Sequence, residues 1–228
     1  MPNSDDSLPN RGLVASVNLA QVREIPLRGK LQKTGIWKLP VDRRVIARGV
    51  GLEGDTQADL AVHGGEKKAV YTYSVEDYRW WERALQAPVP PGTFGENLTL
   101  EGIAINDVLI KERWRIGSAE FEVTQPRQPC WKLGVKMEDS EFPRRFSEAG
   151  RPGAYLSIVK EGELGRGDTV EVIHRPAHPM TIGLLAHLIY TNRQLASLLI
   201  QLIEEPLSPE EWEQVLGAAL PDPAPGVQ

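Results

Sequence analysis

A single cysteine, Cys130, in 228 residues leaves no partner for an internal disulfide and excludes any site that needs several thiolates from one chain. Histidine is scarce too, with four in all. His174 and His178 have the spacing of a helical metal pair, but Pro176 between them forbids that helix, so they read as linker residues. The stretch Met1 to Arg11 carries two aspartates and no apolar block, which argues against a secretory or transit segment and leads us to expect a cytoplasmic protein. The most apolar run, Thr181 to Ile203, holds His187, Asn192, Arg193 and Gln194 near its middle, too polar for a membrane span. Familiar nucleotide and hydrolase loops are missing. Gly64-Gly65-Glu66-Lys67-Lys68 lacks the spacing and terminal hydroxyl of a phosphate-binding P-loop, and neither a G-x-G-x-x-G after a strand nor a G-x-S-x-G elbow occurs.

What is present is globular in composition: 41% hydrophobic, 25% charged, and a formal charge of -5 from 26 basic and 31 acidic residues. The charge is uneven. Between Arg23 and Arg48 eight basic residues face two acidic ones, whereas Gln201 to Gln228 holds six acids and no lysine or arginine. A basic stretch inside an acidic chain suggests a local anion site, not a nucleic-acid surface, although cations guarding a strand edge would look the same.

Gly12–Leu19, Leu31–Leu39 and Ala69–Tyr73 read as strands, and Ser74 with Asp77 opens a helix over Val75–Gln86 that the prolines at 88, 90 and 91 end. Short strands follow over Asn97–Leu100, Val108–Ile110, Trp114–Ile116, Glu120–Thr124, Ala154–Val159 and Thr169–Ile173, with a short helix over Phe142–Ala149. Many short strands and few helices predict a mainly β fold, a closed or nearly closed antiparallel barrel, over residues 12–175. After the Pro176–Pro179 linker, helices capped by Thr181 and Ser208, with another over Leu195–Ile203, make a small three-helix domain over 180–220.

Three segments combine flexible glycine with polar groups at strand ends. His63-Gly64-Gly65, with Lys67 and Lys68 beyond, offers main-chain donors and charge to an anion, though alone it reads as an ordinary turn. Pro91-Gly92-Thr93-Phe94-Gly95-Glu96-Asn97 can wrap a ligand, and equally can be a long hairpin connection. Gln125 to Leu133 sets Cys130 between two prolines and Trp131, flanked by Arg127 and Lys132. Positive charge favours the thiolate, the form that binds soft metals. A lone cysteine is commonly a small buried hydrophobe, but a proline-fixed loop between cations is a poor place for core filling.

Together these segments resemble the MOSC family, the domain at the carboxyl terminus of molybdenum-cofactor sulfurases, and within it the YiiM-type subgroup that adds three helices. Thr34 to Val41, Gly54 to Asp59, His63 to Gly65 with Lys68 to Tyr71, Pro91 to Leu98 and Arg127 to Leu133 carry the resemblance. It implies a barrel-like domain followed by three helices, with the molybdenum cofactor (molybdopterin) as ligand and Cys130 as metal ligand and catalytic residue. His63, Gly64, Gly65, Lys68, Thr93, Phe94, Gly95, Asn97 and Arg127 would bind the cofactor; Asp55 and Asp59 are pocket or proton-relay candidates. The activity implied is reduction of N-hydroxylated compounds such as 6-hydroxylaminopurine. Since no flavin or nicotinamide motif is visible, electrons would come from a separate reductase; neither nucleic acid nor membrane is expected as a partner. The alternatives are a carrier that binds cofactor or sulfur without turnover, and a noncatalytic barrel whose tail makes a homodimer; the tail's apolar residues could equally fold back on the barrel.

Overall fold

Buried and exposed residues alternate at the start of β1 (Arg11–Ala20), where the pleat turns Gly12 and Val14 inward and Leu13 outward. Further on, Ser16 to Leu19 are all buried, because β1 is there covered on both faces. The computed structural model describes residues 11–27, 30–56 and 64–219. Among the described residues, β2 (Arg23–Leu27) and β3 (Lys30–Thr34) pair only with each other, and β4 (Lys38–Pro40) returns to pair with β1. The strand expected over 31–39 is therefore two strands. Residues 35–37 leave the ladder between them, where a Cβ on Gly35 would fall 2.3 Å from the Thr56 carbonyl.

β5 (Val45–Arg48) and β6 (Gly51–Leu52) precede a 3-10 turn at Glu66–Lys68. β7 (Val70–Ser74) runs into α1 (Val75–Leu85), capped as expected by the Ser74 hydroxyl, which accepts from the Asp77 N–H at 3.0 Å. β8 (Leu98–Glu101), β9 (Arg113–Ile116) and β10 (Ala119–Pro126) follow, then α2 (Trp131–Lys136) and α3 (Phe142–Glu148). β11 (Ala154–Lys160), β12 (Gly162–Leu164) and β13 (Thr169–His174) complete the strands. α4 (Ile182–Thr191), α5 (Arg193–Leu202) and α6 (Pro209–Ala219) end the described chain.

Seven strands close into a barrel in the order β1, β8, β7, β11, β10, β9, β13, with β13 pairing back to β1 and β4 attached outside the ring. The fold is mainly β with α, as the sequence predicts, but the barrel is not wholly antiparallel. β7 and β8 are parallel, because α1 crosses between them and returns the chain in the same direction. No strand forms over 108–110. The backbone bonds of that segment go to the start of α4 instead: Ile110 N–H to the Met180 carbonyl at 3.0 Å, and Ile182 N–H to the Val108 carbonyl at 2.9 Å. Where the sequence left two fates for the helical tail, the structure shows it folded back. Leu185, Leu188, Ala196, Leu199 and Trp212 belong to the same apolar cluster as barrel residues Val14, Trp114, Phe121 and Leu156. Among the described residues, no helix is long and apolar enough to cross a membrane.

Candidate functional site

One cleft gathers chain from six places. The segment between β3 and β4 contributes Thr34, Gly35, Ile36 and then Lys38; the end of the β5–β6 region contributes Asp55 and Thr56. Lys68 and Tyr71 come from the 3-10 turn and β7, Gly95 and Asn97 from the loop before β8. The stretch after β10 supplies Arg127, Gln128, Cys130 and Lys132, and β11 supplies Tyr155.

The floor of this cleft is a buried network. Asp55 Oδ1 accepts from the Lys38 ammonium at 2.7 Å and from the Ala20 N–H at 2.7 Å; Oδ2 accepts from Lys38 at 2.6 Å and from the Asn97 amide at 2.8 Å. Both side chains of the ion pair are over nine-tenths buried. Burial lowers the Lys38 amine below the usual lysine value, with the Asp55 carboxylate working in the opposite direction. Asn97 is used in full by the fold. Its Oδ1 accepts from the Tyr71 N–H at 3.2 Å while its own N–H donates to the Tyr71 carbonyl at 2.7 Å, so it fixes the loop against β7.

Arg127 is held by a carbonyl at its edge and a ring over its face. Its guanidinium donates to the Phe94 carbonyl and lies 4.8 Å from the Tyr71 ring centroid. Tyr71 in turn packs on Tyr155 at 5.1 Å and donates its hydroxyl to the Pro152 carbonyl at 2.7 Å. Burial pushes both phenols up from their ordinary value, with Arg127 opposing, so that neutral hydroxyls line the cleft at physiological pH. Cys130 is half-buried and is the residue from which α2 starts, its carbonyl accepting from the Leu133 N–H at 2.9 Å.

Of the residues singled out from sequence, the fold brings Cys130, Lys68, Gly95, Asn97, Arg127 and Asp55 together. Gly64 and Gly65 do not line the cleft, and a Cβ on Gly65 would meet nothing within 4 Å. Thr93 turns its hydroxyl back to the Pro90 carbonyl at 2.6 Å. Phe94 lies outside the cleft as well: its ring is fully buried among Tyr73, Tyr78, Trp81, Phe142 and Phe146, and only its carbonyl reaches toward the site. His63 and Asp59 lie outside the described residues. Sequence reasoning did not single out Lys38, Tyr71, Gln128 or Tyr155 as site residues, nor the Thr34–Ile36 wall. Their signal was present in part, since Lys38 and Tyr71 stand inside the segments that carry the family resemblance. Tyr155 had none, because alternation along β11 does not tell which end of the barrel a residue occupies.

A MOSC domain model matches residues 59–171. YflK of Bacillus subtilis is 33% identical over 199 residues, spanning 87% of this chain and 90% of YflK. The chain belongs to the MOSC family. YiiM of Escherichia coli is 34% identical over 146 residues, 62% of this chain and 65% of YiiM. A Gibberella moniliformis protein named reductase is 27% identical over 205 residues, which cover 88% of this chain but 36% of that protein. The crystal structure of YiiM from Geobacillus stearothermophilus superposes with a TM-score of 0.69 at 28% identity, covering 92% of this chain and 100% of that one. These likenesses, with the barrel and its helices, make this a YiiM-type MOSC protein.

Proposed function

We propose that the cleft binds the molybdenum cofactor with Cys130 as metal ligand, and that the protein reduces N-hydroxylated compounds such as 6-hydroxylaminopurine to the parent amine. The observation that carries this reading is one thiol sharing a cleft with Lys38, Lys68, Arg127 and Lys132.

The donor set fits such a group. Among the described residues no three His, Cys, Asp or Glu side chains converge to hold a bare metal ion, so a metal here would arrive with ligands of its own and take one more from the protein. A soft thiolate suits a metal already bound through sulfur, and cations with main-chain donors suit a phosphate. Cys130 would hold the metal, while Lys68, Lys132 and Arg127 would hold the phosphorylated end. Bound there, the cofactor would supply the two electrons of the reaction, which with two protons turn a hydroxylamine into an amine and water. The chain's own part is to orient and to exclude water. Ile36, Tyr71 and Tyr155 give the cleft an apolar share suited to a planar base, and the Lys38–Asp55 pair fixes the floor before any ligand arrives. Electrons would reach the cleft from a separate reductase.

The test is metal and pterin content of freshly purified protein, then turnover of 6-hydroxylaminopurine with a chemical reductant. Cys130→Ala should lose both metal and turnover. Full molybdenum content and turnover in that variant would overturn the reading, and cofactor bound without turnover in the unaltered protein would make it a carrier.

A further inference from the structure

Behind the cleft, one cation has no part in the reading above. Lys136 closes α2, the helix that Cys130 opens, and its ammonium donates to the Ile36 carbonyl at 2.9 Å and the Gly92 carbonyl at 2.6 Å. The two acceptors belong to different walls. Ile36 lies on the segment between β3 and β4, and Gly92 opens the loop that carries Gly95 and Asn97 into the cleft. Those walls meet at backbone distance: a Cβ on Gly92 would fall 2.4 Å from the Lys38 carbonyl, and one on Gly95 would fall 3.1 Å from that of Ile36, with φ at +84 and +79. The Gly92 N–H is also engaged, donating to Glu96 Oε1 at 2.6 Å.

The energetics of this arrangement are unusual. An ammonium withdrawn from water and held by neutral carbonyls keeps a desolvation cost that a methionine of similar shape would not carry. We propose that Lys136 is a positioning residue for Cys130, its ammonium tying the thiol-bearing helix to both cleft walls. The proposal rests on the reading of Cys130 given above for its meaning, but its test is read on the thiol itself. Burial lowers the Lys136 amine to about 7, Glu96 opposing and Arg127, Lys38 and Arg23 assisting. The tie is therefore charge-assisted on the acid side of neutrality and weaker on the alkaline side.

Cys130 is the sole thiol, so its alkylation by iodoacetamide is measurable in the full chain. Wild type, Lys136→Met and Lys136→Arg are compared at about pH 6 and about pH 8.5, values on either side of the amine's titration. Near pH 6 wild type and Lys136→Arg should react alike and Lys136→Met several-fold faster, because the helix that Cys130 opens is then released from both walls. At the alkaline pH the wild-type rate should move away from that of Lys136→Arg and toward that of Lys136→Met. Because arginine keeps its charge at both pH values, the ratio of wild type to Lys136→Arg cancels the thiol's own titration. That ratio also keeps the test open if Lys136→Met does not fold. A role in stability alone would lower the melting temperature without making the ratio depend on pH. Equal rates in all three proteins at both pH values, or a pH-independent ratio, would overturn the proposal. If the tie is seen while Cys130→Ala still retains molybdenum and turnover, the functional reading fails and the tie stands.

Discussion

Among the described residues, two buried clusters are built on different terms. The larger one fills the barrel and the contact with α4, α5 and α6, and is nearly all aliphatic, with Trp114, Phe121 and Trp212 as its large aromatic members. The smaller one lies beside the cleft and is aromatic: Tyr71, Tyr73, Tyr78, Trp81, Phe94, Phe142 and Phe146. It also encloses hydrogen bonds. Glu96 Oε1 accepts from the Tyr78 hydroxyl at 2.6 Å, and the Trp81 indole donates to the Tyr73 hydroxyl at 2.8 Å. Aliphatic packing tolerates small shifts of volume, whereas polar networks have discrete geometries and fail when one member moves. The first cluster therefore keeps the protein folded, and the second also fixes where the cleft walls stand.

Phe94→Ala tests that division most severely. The ring stacks with Tyr78 at 5.2 Å and meets Trp81 at 5.6 Å, so its loss should cost about 3–5 kcal/mol in denaturant unfolding. Because the Phe94 carbonyl anchors Arg127, the same variant should speed Cys130 alkylation even at temperatures where it is fully folded. Asp55→Asn comes next. It leaves the Lys38 ammonium buried beside a neutral amide, with an expected loss of about 3 kcal/mol, again with altered thiol reactivity. Leu199→Ala, in the other cluster, should cost about 2–3 kcal/mol and leave alkylation of the folded protein unchanged. A change in thiol reactivity in Leu199→Ala would show that the two clusters are one mechanical unit.

The sequence told more of the strands than of the cleft. β1, β7, β9, β10, β11 and β13 were legible from apolar alternation and turn residues, and Ser208 with Glu211 forms the capping box expected, with bonds of 2.7 Å and 3.2 Å. β2, β5, β6 and β12 were not, since each is short and owes its pairing to a partner remote in sequence or to a local ribbon. α2 was hidden as well: six residues with a glycine inside carry no periodic signal. In the cleft, residues inside recognisable segments were found by position, but burial changed what they do. Asn97 looks like a ligand-binding amide and is consumed by Tyr71 and Asp55; Phe94 sits in a glycine loop and is core. Long-range partners decide such cases, and a one-dimensional reading does not contain them.

Acid sensitivity offers the finest comparison. In the aliphatic region His178 is 6% exposed, its Nδ1 accepts from the Met180 N–H at 3.2 Å, and Nε2 is buried without a hydrogen-bond partner among the described residues. Burial lowers its pKa below the ordinary 6.5, Lys111 assisting and Glu204 opposing. The unfolded chain then takes up a proton as the pH falls below about 6.5 while the folded one resists, so stability drops through that window. Lys136 works in another window. With a folded value of about 7 against an ordinary 10.5, the native state binds fewer protons between the two, and stability rises with pH across that span. His178→Gln, which keeps an acceptor for Met180 and cannot charge, should shed the acid-side share, the smallest of the effects expected here, and leave the alkaline side untouched. Melting curves from about pH 5 to about pH 9 separate the two. An undiminished acid slope in His178→Gln would show that the slope does not come from this imidazole, and the Lys136 response would then be the one the comparison retains.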